Sequence, residues 1–256
     1  MIKADQPKLF DSSVIAAVSS REDGQMQHGW SESEAEVNAN RQAFLKSIGL
    51  IMEQSVFVNV RYLEGATYDV IRDVDLMDAG AGMFARGDDA TDCLVTDTPE
   101  LGLFLPVADC GATIVHDPRC GVLALAHLGR HNAVAGLATK LVAHLQKVYH
   151  SDPADLRIWV SPSIQKAEYV MEWVDFTAGN DDWKDFYHPA KGGYSVDVQG
   201  FNRAQFIKAG VLASQICISP INTATSEDYW SHYTERTVKG GVAPPRFAVA
   251  TALKEQ

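Results

Sequence analysis

Residues 92–132 read DCLVTDTPELGLFLPVADCGATIVHDPRCGVLALAHLGRHN. Four short apolar runs follow one another here: Cys93–Thr96, Leu101–Val107, Gly111–His116 and Gly121–His127. Runs of this length, bounded by Pro, Gly and Asp, predict strands. Asp117-Pro-Arg-Cys-Gly121 predicts a hairpin turn, because Pro presets its backbone angle and Gly accepts a positive one. Two strand ends carry reactive side chains. Cys110 closes Val107-Ala-Asp-Cys110, and His127 opens His127-Leu-Gly-Arg-His-Asn132. A single hairpin separates them, so the two ends are expected to be neighbours.

Outward from this block the pattern alternates. Val134, Leu137, Leu141, Leu145 and Val148 recur at helical spacing and predict a helix over 132–150. On the other side, Ser13–Ser19, Ser55–Val60 and Tyr68–Val74 read as strands. Ser31-Glu-Ser-Glu34 has the spacing of a capping box, and Val37, Phe44, Leu45 and Ile48 continue it as a helix over 32–48. Gly80–Asp89 is glycine-rich and reads as an irregular surface loop; its Gly-x-Gly lacks the strand-and-helix flanks of a phosphate loop. Further on, 156–160, Ile216–Ile218 and 247–250 read as strands. Asp197 is placed to cap a helix over 198–209 that Gly210 ends. No repeat or linker interrupts the chain. The reading is one α/β (α+β) domain over 1–256, a layered sandwich of mixed β-sheets with flanking helices.

Composition narrows the partners. The 256 residues carry a net charge of −11, with 46% hydrophobic and 21% charged residues. That is globular composition. The acidic balance argues against a general nucleic-acid or anionic-membrane binder, which needs clustered cations, but a local pocket can still be positive. No run approaches the ~20 apolar residues of a membrane span. The start lacks the basic region and apolar core of a signal peptide, so a cytoplasmic location is expected. The cysteines, Cys93, Cys110, Cys120 and Cys217, form no C-x-x-C pair, so neither a zinc ribbon nor a disulfide framework is expected. Most of them read as small buried hydrophobes.

A neighbouring Cys110 and His127 have two chemical uses. The imidazole can activate the thiol as a nucleophile. Alternatively, thiolate and imidazole are both zinc ligands, and three protein ligands with one open position make a catalytic centre. A buried thiol and a hydrogen-bonded histidine are the plain structural reading. Gly129-Arg-His-Asn132 leads into a helix, where free N–H groups, Arg130 and His131 suit an anion.

These segments resemble the YfiH-type laccase-domain proteins, also called multicopper polyphenol oxidoreductases. The family's D-A-hydrophobic-V-T-D, A-D-C-x-P and A-H-A-G-W-R-G segments correspond to Asp92-Cys-Leu-Val-Thr-Asp97, Ala108-Asp-Cys-Gly-Ala112 and Ala126-His-Leu-Gly-Arg-His-Asn132. The flanks agree in order. Asn40-Arg41 sits at the family's first N-R pair, and Asn202-Arg203-Ala-Gln-Phe at a later N-R-x-Q-L. Asn222-Thr223 and Tyr229-Trp-Ser231 follow, then Pro245-Arg246-Phe247-Ala248 at G-R-F-A.

The resemblance implies a zinc-dependent purine nucleoside phosphorylase with adenosine deaminase activity. The metal would be held by a Q-V-H histidine, the A-D-C cysteine and the A-H-A-G histidine. Cys110 and His127 match the last two and are expected as catalytic residues and metal ligands. At the first, Asn59-Val60-Arg61 puts Arg61 where a histidine is expected. Two ligands beside a cation hold zinc poorly, so zinc is admitted only weakly. Copper is disfavoured, because eight scattered histidines make no multicopper centre. Arg61, Asp109, Arg130, His131 and Asn132 are expected to bind substrate, with nucleoside and phosphate as the small-molecule partners. No nucleic acid or membrane partner is expected, and the chain is expected to be a monomer or small homo-oligomer. Two other readings stay open: a metal-free Cys–His hydrolase, and a non-catalytic binding protein with a degenerate site.

Overall fold

A computed structural model describes residues 1–29, 32–62, 64–85, 87–174 and 181–255. The block at 92–132 folds as its pattern predicts. The runs become β4 (Cys93–Thr96), β5 (Gly102–Val107), β6 (Gly111–Asp117) and β7 (Val122–Leu128). They do not form one sheet. β5 lies in a four-stranded sheet with β1 (Val14–Val18), β2 (Ser55–Phe57) and β13 (Phe247–Leu253), in the order β1-β13-β5-β2. β4, β6 and β7 join β3 (Ile71–Asp73), β8 (Arg157–Val160) and β12 (Ile216–Ile218) in the order β12-β8-β6-β7-β4-β3.

The side-chain alternation explains the layering. On β5, Leu103 and Leu105 meet Ile114 of β6 and Leu123 and Leu125 of β7 between the two sheets. Alternate residues of the same strands face outward. Phe104 packs with Phe44 and Leu45 of α1 (Glu34–Ser47). Ala124, Ala126 and Leu128 pack under Leu137, Leu141 and Leu145 of α3 (Leu137–Tyr149). The period of two therefore generates four layers: α1, one sheet, the other sheet, and α3 with α4 (Val198–Lys208).

Several expectations shift. The helix expected over 132–150 is broken at Gly136, whose φ of 75° is left-handed, into α2 (Arg130–Ala135) and α3. The glycine lets the chain turn without a Cβ penalty. The capping box sits at Ser33 and Glu36, not Ser31 and Glu34, and Ser31 lies outside the described residues. Strands expected over 55–60 and 68–74 shorten to three residues each. Asp197 caps α4 as expected, accepting from the Gly200 N–H at 2.8 Å. Cys120 and Cys217 are exposed rather than buried, and all four thiols are free. A third sheet, in the order β10-β11-β9, was not read from sequence; it comprises β9 (Val170–Met171), β10 (Tyr187–Ala190) and β11 (Gly193–Val196). Among the described residues no helix is long and apolar enough to cross a membrane.

Candidate functional site

The two sheets create the site at their shared end. β5 ends at Val107 in one sheet, and β6 begins at Gly111 in the other, so Ala108-Asp-Cys110 is the crossing between them. The crossing needs a left-handed residue, and Asp109 supplies it with φ 84°. Its carboxylate holds the turn: Thr223 Oγ1 donates to Oδ1 at 2.6 Å and the Tyr233 N–H to Oδ2 at 2.6 Å. His127 lies opposite Ala112 in the β6–β7 ladder and shares its inward face. The crossing thus delivers Cys110, and the ladder delivers His127, to one mouth.

Gly129 measures how close they are. A Cβ built on Gly129 lies 2.8 Å from Cys110 Sγ and 3.1 Å from His127 Cε1. One methyl-sized space therefore touches both side chains. They face a cleft of about 660 Å³ whose wall also includes Tyr62, Tyr169, Arg130 and Arg246.

Burial sets the protonation states. It pushes the Cys110 thiol up to about 11, with the Asp109 carboxylate adding to the rise and Arg246 opposing it. Burial brings the His127 imidazole down to about 4, helped by Arg246 and His131 and opposed by the hydrogen bond to Asn132. The pair is a neutral thiol and a neutral imidazole at pH 7. A resting thiolate–imidazolium ion pair would be the reverse of this. Iodoacetamide is therefore expected to label exposed Cys217 well before Cys110 at pH 7, where the Cys110 thiolate is about one part in 10⁴. Cys110 labelling should climb about tenfold per pH unit toward pH 11, as followed by peptide mass spectrometry. Preferential Cys110 labelling at neutral pH would restore the hydrolase reading.

The other sequence-expected residues divide. Arg130 lines the cleft, and its guanidinium reaches Met171 Sδ at 3.6 Å and His131 Nε2 at 3.2 Å. Asp109 lines it too, with both oxygens engaged in the turn. His131 stacks on Tyr68 with ring centroids 4.6 Å apart. Asn132 is buried behind His127. Arg61 is not part of the cleft wall; it bonds the Gly87 carbonyl and pairs with Asp88 at 3.6 Å. Its neighbour Tyr62, 59% exposed, lines the cleft with its ring edge-on to His127.

Spacing did not single out Arg246, His232 or Tyr233 as site residues. Arg246 donates to the Pro244 carbonyl at 2.9 Å and contacts His232 Nδ1 at 3.3 Å. Its position in the Pro245-Arg246-Phe247-Ala248 segment was the available signal.

A three-ligand zinc centre does not fit these residues. Cys110 and His127 supply two donors, the third position holds Arg61, and the residue beside it that lines the cleft is a phenol, Tyr62. Arg246 and Arg130 place positive charge at the sulfur. Among the described residues no three His, Cys, Asp or Glu side chains gather to hold a metal ion.

A family model described as multi-copper polyphenol oxidoreductase laccase matches residues 17–244. The chain is similar to the purine nucleoside phosphorylase ORF3 of Streptomyces griseus, 32% identical over 212 residues, covering 79% of this chain and 78% of that protein. It is similar to the purine nucleoside phosphorylase YlmD of Geobacillus stearothermophilus, 29% identical over 167 residues. That match covers 63% of this chain and spans 61% of the relative's length. Two crystal structures share the fold. The hypothetical protein YfiH of Bacillus licheniformis superposes with a TM-score of 0.85 at 24% identity, covering 94% of this chain and 93% of that one. YlmD of G. stearothermophilus superposes with 0.84 at 22% identity, covering 100% and 98%.

Proposed function

The chain belongs to the multi-copper polyphenol oxidoreductase laccase family, and from that premise we propose that its cleft binds a purine nucleoside beside phosphate and cleaves the glycosidic bond by phosphorolysis. The observation that carries this reading is the pair of guanidiniums, Arg130 and Arg246, in one wall with aromatic rings. On a protein of net charge −11 this is a local positive site. Guanidiniums make charge-assisted bonds to phosphate oxygens, and Tyr62 and Tyr169 offer ring faces to a flat base.

The reaction needs no redox partner. A phosphate oxygen bonds to the anomeric carbon, and the carbon–nitrogen bond breaks with its electron pair leaving on the purine, which takes up the proton that the monohydrogen phosphate gives up on becoming the sugar phosphate ester. Arg130 and Arg246 hold the phosphate dianion and keep it in line. The Cys110 thiol, neutral, forms floor rather than nucleophile. No step is routed through zinc, and deamination, which needs an activated water, is not part of this reading.

The test is release of free base from inosine and adenosine with and without phosphate, in chelator and again with added zinc. Base release should require phosphate and survive chelator. Arg246→Met should lower kcat/KM on the order of 10²-fold, as for loss of a preorganised charge donor. Nucleoside binding without base release supports the non-catalytic reading, which the missing third ligand favours. Absence of both binding and turnover removes the proposal.

A further inference from the structure

Asn132 joins His127 to Asp92 through a chain of hydrogen bonds whose polarity the structure fixes. The Asn132 amide nitrogen donates to the Tyr68 carbonyl at 2.9 Å and to Asp92 Oδ1 at 2.9 Å. Both partners are acceptors only, so the NH₂ must face them. The Asn132 oxygen then faces the Gly129 N–H at 3.3 Å, which can only donate, and His127 Nδ1 at 2.8 Å. The amide is oriented from both sides, which removes its usual flip ambiguity. An oxygen acceptor at 2.8 Å requires the proton on Nδ1. Asp92 is itself held, its Oδ2 accepting from the Val70 N–H at 3.1 Å. Asn132 is 1% exposed and Asp92 4%, so water does not compete for these bonds.

His127 Nε2 has no protein hydrogen bond among the described residues, and the residue lines the cleft. We propose that Asp92 and Asn132 are positioning residues that lock His127 as its Nδ1–H tautomer, so that its Nε2 lone pair accepts a hydrogen bond from an O–H of the ligand. The locking stands on the geometry alone; the ligand class, a sugar hydroxyl or a protonated phosphate oxygen, rests on the nucleoside reading. The locked ring discriminates by chemistry: it welcomes a donor and repels a bare acceptor oxygen. Asn132 stands where the resembled A-H-A-G-W-R-G segment ends in glycine, so this relay is a feature of this chain's own residues.

The experiment is nitrogen NMR of ¹⁵N-histidine-labelled protein at pH 7, with His127→Gln assigning the resonance. The wild type is expected to show the Nδ1–H tautomer. Asn132→Leu, close in volume but without an acceptor, should convert His127 to the Nε2–H form or a mixture. Asp92→Asn, which lets the Asn132 amide turn over, should also populate Nε2–H. Separate additions of inosine and of inorganic phosphate should shift the Nε2 resonance, and the probe that shifts it identifies the donor.

An Nε2–H wild-type ring, which needs no variant to read, overturns the proposal. So does an unchanged tautomer in a folded Asn132→Leu, or no shift with either probe. Failure of phosphorolysis with the Nδ1–H signal intact and a ligand shift present counts against the proposed reaction and leaves the relay standing.

Discussion

Gly129→Ala is expected to lower turnover at this site by roughly 10²-fold or more, the scale of misplacing reacting groups by about 1 Å. The backbone does not oppose the change, since φ −92° and ψ −174° at Gly129 suit any residue. The space does. The new methyl would lie 2.8 Å from Cys110 Sγ and 3.1 Å from His127 Cε1. Neither neighbour yields freely: His127 is tied to Asn132, and Cys110 sits on a crossing turn that Asp109 holds at two points. The fold should lose about 1–3 kcal/mol, the usual range for overpacking. Gly87→Ala is the control, because nothing lies within 4 Å of a Cβ there. The measurement is kcat/KM, or nucleoside affinity by calorimetry, beside a thermal melt. Full activity in a folded Gly129→Ala would show that the space between thiol and imidazole is not where ligand chemistry happens.

Arg41→Met is expected to destabilise the protein by about 2–4 kcal/mol, from two buried carbonyls that each lose a donor at about 1–3 kcal/mol, partly offset by no longer burying a charge. Arg41 is 1% exposed on α1. Its Nε donates to the Met26 carbonyl at 2.9 Å and its Nη1 to the Met83 carbonyl at 2.6 Å. The guanidinium lies 4.8 Å from the Phe57 ring centroid and 5.5 Å from that of Phe104. One side chain thereby ties α1 to two loops and to the sheet beneath. Methionine fills the volume but leaves two buried carbonyls without that donor. Arg41→Lys keeps the charge and loses the fork, so it should recover only part of the loss. Urea unfolding with an unchanged m-value reads the difference as a shift in midpoint. A loss under about 1 kcal/mol would mean that the loops find other donors at little cost.

Arg41 also shows what the sequence could reveal. The Asn40-Arg41 pair was visible as part of a colinear pattern, but an arginine within a helix ordinarily reads as surface. Only the coordinates show it turned into the core. Arg61 and Tyr62 teach the complementary lesson. Motif spacing selected Arg61, and the fold directs that side chain to the Gly87 carbonyl while its neighbour Tyr62 lines the cleft. The small sheet β10-β11-β9 escaped notice because its strands are two to four residues long and none of them is buried along its whole length. Periodicity has nothing to count there.

By itself the sequence determined the sandwich and the whereabouts of Cys110 and His127. Four consecutive runs that are apolar at nearly every position must be covered on both faces, and the reactive residues sit where those runs stop. Tertiary structure alone decided what the pair can do. Burial raises the thiol to about 11 and lowers the imidazole to about 4. Arg246 and Tyr62 reach the site from distant parts of the chain, and only folding joins Asp92 to Asn132 behind His127. Local spacing carries no information about charges that meet only through the fold, and at this site those charges set the chemistry.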